Sequence, residues 1–227
     1  MIAAFETSGA MVSLAVTRGD GQVYESSYPG LRQLATTLMP ALLELCEQAG
    51  VRLRECEGAA ASLGPGSFTG LRVGVAAANA LALAVGCPLV GVPSLEVTAH
   101  SAVTDAPTLL CLSPHRRGSF YGQEFGKAGD GWVVAGEIEV GSVAEIVAAS
   151  GMTEGVVCGP EDAREQWLSQ GGAAGASIPF LVTYPSARIL LALGVERRGQ
   201  ARPRFAVPLY VRGSQPEEKE RAAPGGR

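Results

Sequence analysis

Gly64-Pro65-Gly66-Ser67-Phe68-Thr69-Gly70-Leu71-Arg72-Val73-Gly74 is a glycine-rich turn that runs straight into an apolar helix. Unpaired amides at such a helix start, together with the helix dipole, favour an anion. Three known motifs nearly fit here, and each fails. A Walker A loop ends in Gly-Lys-Ser/Thr, and no lysine is near. The dinucleotide fingerprint needs a glycine where Thr69 stands. A nucleophile elbow needs Gly-x-Ser-x-Gly, but Pro65 and Thr69 occupy those places around Ser67. A tight turn with Ser67 or Thr69 capping the helix accounts for the composition, and a phosphate contact is the alternative.

Working outward, Thr69 to Val85 reads as the helix, closed by Gly86. Gly70, Gly74, Ala78, Ala82 and Gly86 recur every four residues and make one side smooth. Small side chains let a second helix approach closely. Leu71, Val75 and Leu83 make the opposite face apolar as well, so the helix is expected to be covered on more than one side. The stretch from Val73 to Val92 is nearly uncharged, but Asn79 and the break at Gly86-Cys87-Pro88 favour a buried helix and strand over a membrane span. Upstream, Leu31, Leu34, Leu38, Leu42, Leu45 and Ala49 fall at helical intervals. Pro40 is expected to kink or restart that helix and Gly50 to stop it. Two outcomes are open for this pair of helices: packing within the lobe, or a four-helix contact with another chain. In the second case, a bulky residue at Gly74 would abolish pairing and leave the monomer folded.

The rest of the chain falls into two similar halves. Ile2 to Thr7, Val12 to Thr17 and Val23 to Tyr28 form a meander, and Gly58 to Leu63 and Pro88 to Val92 are further strands. Ser94 caps a helix running to about Val103. After Asp105 the order repeats. Thr108–Leu112, Gly118–Phe125 and Trp132–Glu139 are strands, Val143–Ala149 a helix, Val156–Cys158 a strand, and Glu161–Gln170 a helix. Pro185 to Arg197 is a last helix, and Pro208 to Arg212 an ordered end. The expected organisation is α/β with two lobes, residues 1–104 and 105–212, followed by a disordered tail over 213–227.

Composition narrows the function classes. The 227 residues carry 18 Lys and Arg against 22 Asp and Glu, so the chain does not grip nucleic acid over its whole surface. A local basic patch from Arg116, Arg117, Arg197, Arg198, Arg202 and Arg204 remains open. Cys46, Cys56, Cys87, Cys111 and Cys158 read as small buried thiols, and with only His100 and His115 present no zinc spacing can be assembled. No secretory signal is legible, so a reducing cytoplasm is expected. Glu6-Thr7-Ser8 closes the first strand with one carboxylate and two hydroxyls, a place for magnesium or phosphate, although a capping Glu is the commoner case. No nucleophile–base pair and no metal cluster stands out.

The glycine turn, Glu6-Thr7-Ser8, Arg116-Arg117-Gly118-Ser119-Phe120-Tyr121 and Pro208-Leu209-Tyr210-Val211-Arg212 together resemble the TsaB (YeaZ) family, over about residues 1 to 212. The resemblance implies a two-lobed actin/hexokinase/Hsp70-like fold with a ribonuclease H-like sheet in each lobe. It also implies work on threonylcarbamoyladenosine in tRNA without a catalytic or metal site of its own. The partners it implies are TsaD, paired through the first two long helices, and TsaE. It further implies a homodimer in isolation, tRNA contact only through the complex, ATP or ADP at the partner interface, and no membrane. Carried over, Leu34, Leu38, Leu42, Gly70, Gly74, Ala78 and Ala82 would line the partner contact. Glu6, Thr7, Ser8, Gly64, Pro65, Gly66, Ser67, Phe68, Thr69 and Arg72 would form the family motif with a phosphate contact, and Arg116 and Arg117 would meet tRNA. The sequence departs from the family where Glu6 replaces the usual Asp, Leu34-Ala35 a His-Ser or His-Thr pair, and Pro114-His115 an Asp-Ala pair. A stand-alone ATP-dependent kinase-like enzyme of the same fold is the alternative. A peptidase is a third, and it lacks a His-x-x-x-His pair.

Overall fold

The computed structural model describes residues 1–30, 33–116, 118–169, 178–200 and 205–209. Leu31, Arg117, Arg202, Arg204, Gln170, Tyr210 to Arg212 and the 213–227 tail lie outside the described residues.

The meander folds as β1 (Ile2–Glu6), β2 (Met11–Thr17) and β3 (Val23–Pro29), all antiparallel. After α1 (Leu34–Ala49), β4 (Gly58–Gly64) returns parallel to β1. Then α2 (Phe68–Val85) leads to β5 (Leu89–Pro93), parallel to β4. The sheet order is β3-β2-β1-β4-β5. Parallel neighbours need a crossover, and here each is a helix. α3 (Ser94–Ser101) then carries the chain to the second sheet. That sheet contains β6 (Thr108–Arg116), β7 (Ser119–Ala128), β8 (Gly131–Val134) and β9 (Glu139–Gly141), followed by α4 (Val143–Ser150), β10 (Val156–Gly159), α5 (Glu161–Ser169) and β11 (Phe180–Val182). Its order is β11-β10-β6-β7-β8, with β9 also on β7. The repeated meander and crossover is the ribonuclease H-like lobe used twice, the actin/hexokinase-type fold expected above.

Some elements differ from expectation. Pro40 sits on the exposed side of α1, which runs as one helix. Trp132–Glu139 divides into β8 and β9. The largest difference concerns α6 (Ala187–Glu196), which the sequence order assigns to the second lobe. It packs on the first sheet instead, where Ala187, Leu190, Leu191 and Leu193 join Ala4, Ala15, Ala60 and Val92. Gly194 is needed there, since a Cβ would lie 2.8 Å from the Cβ of Ala60. Burying each leucine is worth about 1.5–3 kcal/mol. On the opposite face of that sheet, Leu34, Leu38, Leu42 and Leu45 of α1 cover Phe5, Val12 and Leu14. α3 is shared between lobes: Val97 belongs to the α6 side, whereas Leu95 and Ala99 pack with Leu109, Phe125 and Trp132. The five cysteines are free thiols. Cys111 and Cys158, adjacent across β6 and β10, stand 3.3 Å apart at sulfur.

Candidate functional site

Strand alternation sends Thr7 and Glu6 to opposite faces of the first sheet. Thr7 points at α2: its Oγ1 donates to the Gly70 carbonyl at 2.8 Å, and a Cβ on Gly74 would lie 2.1 Å from that oxygen. Ser67 donates its backbone N–H to the Ser8 carbonyl at 2.7 Å, and a Cβ on Gly66 would come within 2.3 Å of the same oxygen. Gly64 has φ +106° and precedes a cis proline. Ser67 caps α2, its Oγ accepting from Gly70 N–H at 3.2 Å. The glycines of the turn are therefore demanded by the tail of β1 lying against the first turns of α2.

On the other face Glu6 is fully enclosed. One carboxyl oxygen accepts from Ser8 N–H at 2.8 Å. The other, and the Ser8 hydroxyl, have no hydrogen-bond partner among the described residues. Burial pushes the Glu6 pKa up, opposed by the Ser8 N–H that it accepts from and by the polar Ser8 and Ser62 hydroxyls nearby. Nearby, the Ser62 and Ser94 hydroxyls are 2.6 Å apart, and Ser94 Oγ accepts from Gly64 N–H. Ser113 of β6 donates to the Pro65 carbonyl at 3.1 Å, tying the second lobe to the turn.

No group of three His, Cys, Asp or Glu suited to a metal occurs among the described residues. Of the residues carried as a phosphate contact, Glu6, Thr7, Ser8, Gly64 and Pro65 are buried, Gly66 and Ser67 half-buried, and Phe68, Thr69 and Arg72 exposed. At the open end the Arg72 guanidinium lies 3.9 Å over the Phe68 ring. Arg116 is exposed at the end of β6 in the second lobe.

The partner contact needs a correction. Leu34, Leu38, Leu42, Gly70, Gly74 and Ala78 are buried within this chain's own first lobe, and Ala82 is half-buried. At Gly74 the smooth stripe receives Thr7, the residue that follows β1, which fills the space above it. What α2 offers outward is its other side: Phe68, Ala76, Ala80, Leu83 and Ala84 are exposed, with Leu83 71% accessible. α1, which packs beside α2, adds Leu43 at 50% exposure. By length and composition Phe68–Val85 is apolar enough to cross a bilayer, with mean hydropathy 1.6, but 39% of it is buried inside the lobe. The sequence carried the signal for the outward face as well, since Ala76, Ala80 and Leu83 also recur at helical spacing.

A two-lobed ribonuclease H-like chain with an apolar helical flank, and no metal cluster among its described residues, is thus the class of protein defined by fold and surface. Residues 29–179 match the family model TsaD, tRNA N6-adenosine threonylcarbamoyltransferase, and the chain belongs to that family. It is 30% identical over 126 residues to the tRNA threonylcarbamoyladenosine biosynthesis protein TsaB of Escherichia coli (strain K12), covering 55% of this chain and 54% of that one. It is 36% identical over 113 residues to the tRNA N6-adenosine threonylcarbamoyltransferase of Trichlorobacter lovleyi, covering 42% and 33%. The chain thus spans about half the length, or less, of these curated relatives. Its fold is similar to that of YeaZ from Pseudomonas aeruginosa, with TM-score 0.76, 23% identity, and coverage of 92% of this chain and 99% of that one.

Proposed function

We propose that this chain is a non-catalytic subunit of the assembly that installs the threonylcarbamoyl group on the adenosine beside the anticodon of tRNAs reading A-starting codons. In this role it pairs with TsaD and activates it, works with TsaE in the cytoplasm, and forms a homodimer when alone. ATP or ADP sits at the shared interface, and tRNA is met only through the complex. The observation that carries the proposal is the outward side of α2, where Ala76, Ala80 and Leu83 leave a small-residue apolar surface uncovered, with Leu43 also exposed on the neighbouring α1. Such a surface suits close helix–helix packing. Membership in a family described by a threonylcarbamoyltransferase, and likeness to a TsaB, supply the chemistry.

Co-purification with the TsaD of the same organism tests this proposal. The unmodified chain is expected to bind and to restore threonylcarbamoyladenosine in a reconstituted reaction. Ala80→Glu, which puts a charge in the middle of the face without touching the core, is expected to abolish both. Binding and activity unchanged by Ala80→Glu would remove α2 from the mechanism.

A further inference from the structure

Phe205 to Leu209 is an extended segment laid along the border of the outward side of α2, beyond the 29–179 region that matches the family model. Its backbone is held like a bound peptide. The Asn79 carboxamide donates to the Ala206 carbonyl and accepts from the Ala206 N–H, both at 2.9 Å, and steadies itself on the Val75 carbonyl at 2.9 Å. Leu209 N–H donates to the Leu63 carbonyl at 2.7 Å. Ala206 faces inward and packs against the first lobe's core. The alternate residues face out: Phe205 is 68% exposed, Val207 67% and Leu209 41%. Three large apolar side chains are thus presented in a row by a backbone that is already pinned. Residues 79 and 83 are neighbours on one helix face, which makes this row continuous with the Ala76–Ala80–Leu83 surface.

An added strand does not suit this row as its cover. Pro208 has no N–H to give an incoming strand, so contact here is through side chains. Asn79, which holds the segment, lies three residues from Ala76 and four from Leu83 on the helix surface, so one partner surface can cover both. We propose that Phe205–Leu209 is a third element of the partner-docking surface, with Phe205 and Val207 as apolar anchors for the TsaD-type relative and Asn79 as the residue that positions them. This rests on the proposed pairing through α2 and widens it from two helices to two helices and a strap. Buried aromatic and aliphatic anchors dominate such contacts, and tenfold in affinity corresponds to about 1.4 kcal/mol.

Calorimetric titration of TsaD from the same organism separates the possibilities. Phe205→Ser with Val207→Ser changes only exposed side chains and is expected to weaken binding at least about tenfold with an unchanged melting temperature. Asn79→Ala, which frees the strap, is expected to weaken it similarly, and Asn79→Asp to recover part of the loss by keeping one acceptor for Ala206. If the double variant binds TsaD like the unmodified chain while Ala80→Glu does not, the strap is overturned and the α2 contact survives. If the double variant loses only its homodimer, the occupant is a second copy and the proposal is overturned in that form. No binding by the unmodified chain would overturn both the pairing and the strap.

Discussion

Glu6 and Gly74 show how far single side chains set the behaviour of the first lobe. The Glu6 carboxyl is enclosed, and burial, the largest effect on it, raises its pKa above that of an unfolded Glu. At pH below the ordinary value of 4.5 it is protonated in both states and costs nothing extra. As pH rises through the folded pKa, the unfolded chain gives up its proton more readily, so this group's contribution to stability is lost. Glu6→Gln is therefore expected to melt higher at pH 7, at about 2–4 °C per kcal/mol recovered, with the gain vanishing below pH 4.5. Thermal melts of both forms across that range check it, and a gain that persists at pH 4 contradicts it. Gly74 is the opposite case. A Cβ at 2.1 Å from Thr7 Oγ1 cannot be accommodated without moving β1 or α2, so Gly74→Leu is expected to destabilise the lobe by several kcal/mol, beyond the usual overpacking cost of about 1–3 kcal/mol. The same melts check this, and a folded, unpaired monomer would contradict it.

At the scale of elements, periodicity found the helices but not their orientation. The four-residue recurrence of Gly70, Gly74 and Ala78 pointed to a close approach, and the sequence could not say that what approaches Gly70 and Gly74 is Thr7, just past β1 of the same chain. Leucines at 34, 38, 42 and 45 were legible as an apolar face, and their burial under the first sheet is the ordinary fate of such a face. The turn's glycines and a hydroxyl cap were readable because backbone geometry is local, and the structure settles the choice between Ser67 and Thr69 in favour of Ser67. The Thr7–Gly70 and Ser113–Pro65 contacts were not, because they join residues 63 and 48 positions apart. α6 shows the same limit. Its docking depends on Glu25, whose carboxyl oxygen accepts from the hydroxyls of Ser13 and Ser186, both at 2.7 Å. Burial works against ionised Glu25, but these bonds and Arg188 together hold its pKa below the usual range. That contribution is present above the unfolded value of 4.5 and is lost as pH falls through the folded one. Glu25→Ala is expected to cost about 1–3 kcal/mol at pH 7 and less in acid, as read by denaturant titration.

For the molecule as a whole, the two-lobe organisation was legible from the repeated element order, but the boundary at residue 104 does not match how the core is divided. α6 closes the first sheet from the far end of the chain, and α3 contributes Val97 to one lobe and Leu95 with Ala99 to the other. Without α6, the face made by Ala4, Ala15, Ala60 and Val92 would be open to water, and small side chains there give no alternative packing. Residues 1–104 alone are therefore expected to be aggregation-prone or molten, and the intact chain is expected to unfold in one transition by calorimetry and by tyrosine and tryptophan fluorescence. Leu190→Ala should report the coupling directly. It removes a fully buried side chain between α6 and the first sheet, at a cost of about 2–5 kcal/mol. Through α3, the slow hydrogen exchange of β6 and β7 in the second lobe should accelerate with that of β1 and β4. Acceleration confined to the first sheet would mean that the lobes fold independently, and that α3 is a linker with apolar sides rather than a shared core.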